Sequence, residues 1–131
     1  MLSAMPKPEV LLFNIQRDDR CEAIERYLTG HGVTVRHIPP ADFGQPIGFL
    51  LGLPGYQAAE SRSFFTFSDE MLLMRGFDQA MLNDFLSFFS REKVRRIALK
   101  AMLTPSNAAW SAAELHRHLS AEQQKFAAMK K

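Results

Sequence analysis

Met71-Leu72-Leu73-Met74 is an unbroken apolar run, preceded by Ser68-Asp69-Glu70 and stopped by Arg75-Gly76. Four consecutive apolar residues leave no polar face. The run therefore suits a strand covered on both sides, as in largely parallel sheets. Two more runs share this character. Val10-Leu11-Leu12-Phe13 lies within Glu9 to Asn14, and Ile97-Ala98-Leu99-Lys100-Ala101-Met102-Leu103 is apolar on both faces except at Lys100. Val33, Val35 and His37 instead alternate with Thr34 and Arg36 before Pro39-Pro40, the pattern of a half-exposed edge strand.

Helical spacing fills the gaps between these strands. Cys21, Ile24 and Leu28 recur after Asp19 and Glu22, which resemble a capping box, until Gly30 and Gly32 stop the helix. Asp78 can cap a second helix, with Phe77 and Leu82 as its hydrophobic staple. Met81, Phe85 and Phe88, with Leu82, Leu86 and Phe89 beside them, give that helix a wide apolar face. Ser111 and Glu114 form an S-x-x-E box that opens a final helix reaching about residue 128. Pro46 followed by Ile47, Phe49, Leu50, Leu51 and Leu53 predicts a short helix, loosened by Gly44, Gly48, Gly52 and Gly55.

The order strand, helix, strand, short helix, strand, helix, strand, helix predicts an α/β fold. Its four-stranded, mostly parallel sheet has strand order 2-1-3-4 and helices on both faces. The alternative drops the short helix and leaves a ferredoxin-like α+β sheet with an extra C-terminal helix. With 131 residues, 47% hydrophobic and 23% charged, the chain fits one domain over residues 9–131 after a lead-in of residues 1–8. Sixteen basic against 14 acidic residues impose no nucleic-acid or anionic-membrane partner. The single Cys21 and the absence of any long apolar run point to a cytoplasmic protein that does not span a membrane.

In a parallel sheet, ligands gather beyond the carboxyl ends of the strands, at the switch between strands 1 and 3. Asn14, Gln16, Arg17, Arg75, Gly76, Thr104, Ser106 and Asn107 would ring that crevice. Neither GxGxxG nor GxxxxGKS/T occurs, and the main helices begin with acidic caps that occupy their own amides, so the common nucleotide cradles are disfavoured. His116 and His118 stand two apart, on opposed helix faces, and read as surface histidines. His31 and His37 have no Cys or carboxylate cluster beside them in sequence. Cys21 reads as buried filler, so no metal site is expected. The basic run Arg91, Lys93, Arg95, Arg96 lacks interleaved aromatics and reads as a solvated helix end. Lys100 on a buried strand needs a partner, for which Asp69 or Glu70 are the candidates.

Gln45-Pro46-Ile47-Gly48-Phe49-Leu50, Ser68 to Met74 with Gly76-Phe77, and Leu99 to Asn107 with Trp110 together resemble a small bacterial family catalogued only as a domain of unknown function. The resemblance carries no activity, cofactor or catalytic residue across. It implies that Asp69, Glu70, Lys100, Thr104, Asn107 and Trp110 belong to the family pattern.

These readings converge on a protein of unknown function, a non-catalytic small-molecule-binding or protein-interaction module without a cofactor. Its candidate ligand residues are Asn14, Asp69, Glu70, Arg75, Lys100, Thr104 and Asn107. The alternative is a small enzyme using Lys100, an acid, Thr104 and Asn107 at the sheet's carboxyl edge. Eleven Phe exceed what the regular helices hide. Phe43, Phe49, Phe64, Phe65 and Phe67 crowd residues 43–67, which are expected either to cover the sheet as a lid or to form a homodimer interface.

Overall fold

A computed structural model describes residues 7–59 and 67–129, with side chains as far as residue 125. Strands β1 (Glu9–Phe13), β2 (Thr34–Ile38), β3 (Met71–Arg75) and β4 (Leu99–Met102) alternate with helices α1 (Asp19–Gly30), α2 (Ile47–Leu50), α3 (Gln79–Arg91) and α4 (Ala112–Met129). The sheet order is β2-β1-β3-β4. β1 runs parallel to β2 and β3 parallel to β4, which excludes the ferredoxin-like alternative. The central pair is antiparallel, with Leu11 opposite Leu73.

That one inversion decides where the helices go. In a right-handed crossover, the face taken by the helix depends on strand direction. Two such units leaving a common centre in opposite directions put their helices on opposite faces if all strands are parallel, and on one face if the inner strands are antiparallel. Accordingly α1 and α3 share a face, packing Cys21, Ile24, Leu28, Phe85, Phe88 and Phe89 on Val10, Leu12, Leu72 and Met74. The other face, with Leu11, Phe13, Met71 and Leu73, is covered by Phe43, Ile47, Leu50, Leu51, Phe67, Ala112 and Leu115. The central strands are therefore apolar on both sides, as their runs require.

Most of the local grammar behaves as the sequence implies. Asp78 accepts from the Met81 amide at 2.8 Å. Ser111 and Glu114 close their box reciprocally at 3.1 and 3.3 Å. At α1 the cap is Asp18, which accepts from Cys21 at 3.0 Å, leaving Asp19 inside the helix. On α3, Phe85, Phe88 and Phe89 are buried with Met81 and Leu82 packed beside them, while Leu86 is 37% exposed.

The short helix is one turn long, and the segment around it folds over the sheet. The Ile47 amide donates to Trp110 at 2.8 Å and the Ala113 amide to Phe43 at 3.0 Å, tying the segment to the start of α4. Phe43 and Phe67 stack at 4.5 Å beside Phe13. Gly48 lies under Tyr56, whose ring a Cβ would meet at 2.5 Å. Phe49 is 39% exposed, and Phe64 and Phe65 lie outside the described residues. Among the described residues no helix is long and apolar enough to cross a membrane.

Candidate functional site

Because β1 and β3 are antiparallel, their carboxyl ends point to opposite edges of the sheet. The crevice expected between them does not form. Phe13 faces Met71 at one edge and Glu9 faces Arg75 at the other, so the seven candidate residues separate into two groups with Lys100 between.

At the edge holding the start of β3, Asn14 stands in the left-handed region with φ 61°. Its side-chain amide donates to the carbonyls of Phe67 at 2.8 Å and Asp69 at 3.1 Å, so it holds the approach to β3 in place. Glu70 is gripped by Arg20, whose guanidinium donates to both carboxylate oxygens at 2.6 and 3.0 Å. Arg20 also donates to the carbonyls of Arg95 and Arg96, so this one half-buried fork clamps α1, β3 and the loop before β4 together. Asp69 meets His116 at 2.9 Å, and the His116 ring stacks on Phe67 at 4.3 Å. His116 is thus a half-buried packing residue rather than a free surface histidine, while the exposed His118 stacks on Trp110.

Around these side chains is an open cavity of about 380 Å³ lined by Ser68, Asp69, Glu70, Arg95, Arg96 and Gln123. A shallower hollow continues along β4 past Ala98, Leu99 and Lys100 against Leu119, Glu122 and Gln123 of α4. Both acids of the cavity wall are engaged, Glu70 by Arg20 and more loosely by Arg95 at 3.7 Å, Asp69 by His116. The Arg96 guanidinium donates to the Ser90 hydroxyl at 3.2 Å and meets no carboxylate among the described residues.

Lys100 pairs with neither Asp69 nor Glu70, the partners expected for it. Its register opposite Leu72 places it on the α3 face, where its ammonium donates to the Ile97 carbonyl at 2.5 Å. Burial, and then the positive charge of Arg96, hold it below the usual lysine range.

The other edge holds Arg75, Thr104 and Asn107. Arg75 meets Glu9 at 3.4 Å, and Glu9 also binds Arg36 at 2.6 Å. Asn107 is buried, and its side chain both accepts and donates. It accepts from the Thr104 amide at 2.9 Å and donates to Met102 at 3.0 Å, while its own amide donates to the Thr104 hydroxyl. The pair fastens the turn after β4. The Lys100, acid, Thr104 and Asn107 set is therefore not brought to one pocket.

Sequence reasoning singled out Asp69 and Glu70 but missed Arg20 and Gln123 as their neighbours. Arg20 sits in the first turn of a helix whose loop partners lie 75 and 76 positions away, a juxtaposition that no local spacing announces.

A family model described as Domain of unknown function (DUF3783) matches residues 70–126. The match takes in β3, α3, β4 and most of α4, with Glu70, Lys100, Thr104, Asn107 and Trp110. Asp69 and the segment Gln45 to Leu50 fall outside it. No curated protein and no solved structure matches the chain.

Proposed function

We propose that this chain is a non-catalytic, cytoplasmic binding module, and that it takes a small multivalent anion, such as a phosphate or polycarboxylate, in the cavity between Asp69, Arg95, Arg96 and Gln123. The observation that supports this reading is the imbalance in the wall. Its two acids are already paired within the fold, whereas Arg96 faces the cavity without a carboxylate partner among the described residues and Arg95 reaches Glu70 only at 3.7 Å. A planar guanidinium presents a fork of donors suited to carboxylate or phosphate oxygens. A volume of about 380 Å³ lies at the small end of ligand pockets. Catalysis is not part of the reading, because Thr104 and Asn107 are consumed in fastening a turn. Nucleic acid is not favoured, since the cations open into a small cavity rather than a long groove.

Titration with inorganic pyrophosphate, followed by NMR amide shifts, tests it. Saturable shifts at residues 68–70, 95–99 and 123 are expected. Arg95→Gln with Arg96→Gln, both exposed positions, should weaken binding at least ~10-fold, the loss of about 1.4 kcal/mol of charge-assisted contact. Unsaturable shifts, or affinity unchanged in the double variant, would refute it.

A second reading is self-association through residues 43–67. It is supported by Phe49, the one phenylalanine among the described residues of that segment that is exposed. Light scattering of the wild type and of Phe49→Asp decides it: a monomer at high micromolar concentration in both removes the dimer.

A further inference from the structure

On the face opposite the Phe43 and Phe67 stack, α1 lies across β1 and β2, and one polar cluster interrupts an otherwise apolar layer. The alternation of β2 puts Val35 beside Val10 and His37 beside Leu12, both turned toward α1. Cys21 and Glu25 stand four apart on α1, hence on one side of the helix. The His37 Nε2 lies 2.9 Å from Glu25 Oε1 and 3.7 Å from Cys21 Sγ. The three donor atoms all lie within 4.8 Å of one another.

We infer that Cys21, Glu25 and His37 form a binding site for a divalent cation of the zinc class, with a fourth position left open toward solvent on the Glu25 side. The donor set selects the metal. One thiolate, one imidazole and one carboxylate suit zinc and its borderline-soft neighbours, whereas magnesium and calcium take oxygen ligands. The spacing suits it as well. A tetrahedral ion with bonds of about 2.3 Å to sulfur and about 2.0 to 2.1 Å to nitrogen sets those two ligands about 3.5 Å apart, close to the 3.7 Å found. The same imidazole nitrogen faces both other donors, so a lone pair on Nε2 would point at the common centre.

The exposures grade in the order such a site needs. Cys21 is 1% exposed, and the side chains of His37 and Glu25 are 17% and 34% exposed, which leaves an entry path at the carboxylate. Nearby charge assists a cation: the Asp18 carboxylate acts on Cys21 together with Glu25, against Arg17 alone. Binding releases one proton, from the Cys21 thiol, and leaves the thiolate on the metal. The groups lie on the α1 side of β2 and none of them lines the anion cavity, so the two proposals are tested separately.

Cobalt(II) titrated into the chelator-treated full chain near neutral pH is the test. A sulfur-to-cobalt charge-transfer absorption should saturate at one ion per chain and be displaced by zinc. Cys21→Ser should lose that absorption while its far-ultraviolet circular dichroism stays native. Because Cys21 is buried, Glu25→Gln gives an independent arm at a partly exposed position; it should keep the absorption but bind at least ~10-fold more weakly. Absence of the absorption in the wild type, its survival in Cys21→Ser, or unchanged affinity in Glu25→Gln overturns the site.

Discussion

The two βαβ units of this protein, β1-α1-β2 and β3-α3-β4, are built to one plan and finished differently. A twofold axis through the Leu11 and Leu73 pair exchanges β1 with β3 and β2 with β4. The strand exits correspond. Asn14 and Gly76 both take positive φ, 61° and 77°; buried Ile15 and Phe77 follow; Asp18 and Asp78 cap the helices. The contents diverge. α1 carries Cys21, Glu25 and Tyr27 toward the interior or the helix seam, whereas α3 fills its share of that core with Phe85, Phe88 and Phe89. One unit supplies apolar volume, and the other keeps titratable groups against its edge strand.

Shared architecture is tested most severely at the axis. Leu11 and Leu73 are each fully buried, so Leu11→Ala and Leu73→Ala should each cost about 2–5 kcal/mol by urea denaturation. If the halves are equivalent, the two losses agree within about 1 kcal/mol. A larger gap would break the symmetry, placing the stability in one unit.

What could be read in advance follows from how local each cause is. Unbroken runs such as Met71 to Met74 announce their own burial, and caps at Asp78 and Ser111 act within four residues, so strand order, helices and most caps were legible. The antiparallel centre was not, because residues 39–70 connect the units without regular spacing that would fix the direction of re-entry. The reading of the site depends on that direction. Grouping Arg75 with Asn14 requires parallel inner strands, and the one reversal sends it to the opposite edge. His37 was likewise invisible as a neighbour of Cys21, although the i, i+4 pair on α1 and the Val33, Val35, His37 alternation together carry the signal.

Alkaline pH should separate the units. Burial, then the Glu25 and Asp18 charges, push the Cys21 thiol up to about 11 from 9.0. Below pH 9 the thiol is protonated in both folded and unfolded chains and contributes no pH dependence. Between 9 and 11 only the unfolded chain ionises, so stability falls as pH rises, by about 2 kcal/mol for a shift of this size. Tyr27 adds a further decline at higher pH, since burial and its hydrogen bond to Asp84 push it up to about 12 from 10.0. In metal-free protein, Cys21→Ala should remove the first part of the decline. Persistence of the full slope would assign it to groups other than Cys21.

The strand exits offer a finer comparison. Gly76→Ala places a Cβ at φ 77° and should cost about 1–2 kcal/mol, while Gly76→Asn should be milder, as asparagine tolerates that region. At the matching position, Asn14→Gly keeps the conformation but loses the bonds to Phe67 and Asp69. If Asn14→Gly were neutral in chemical denaturation, Asn14 would be serving the turn alone and not the wall of the anion cavity.

The smallest effect distinguishes the units most directly. Asp18→Ala and Asp78→Ala each remove one helix cap and should each cost about 1 kcal/mol. Among the described residues Asp78 caps α3 and enters no ion pair, but the Asp18 charge also opposes ionisation of Cys21. Asp18→Ala should therefore accelerate alkylation of the thiol by iodoacetamide beyond what its loss of stability explains, a margin set by comparing it with Asp78→Ala at matched unfolding free energy. Equal rates in the two variants would mean that the Asp18 charge does not protect the thiol, leaving burial and Glu25 to do so, and that the two caps are equivalent.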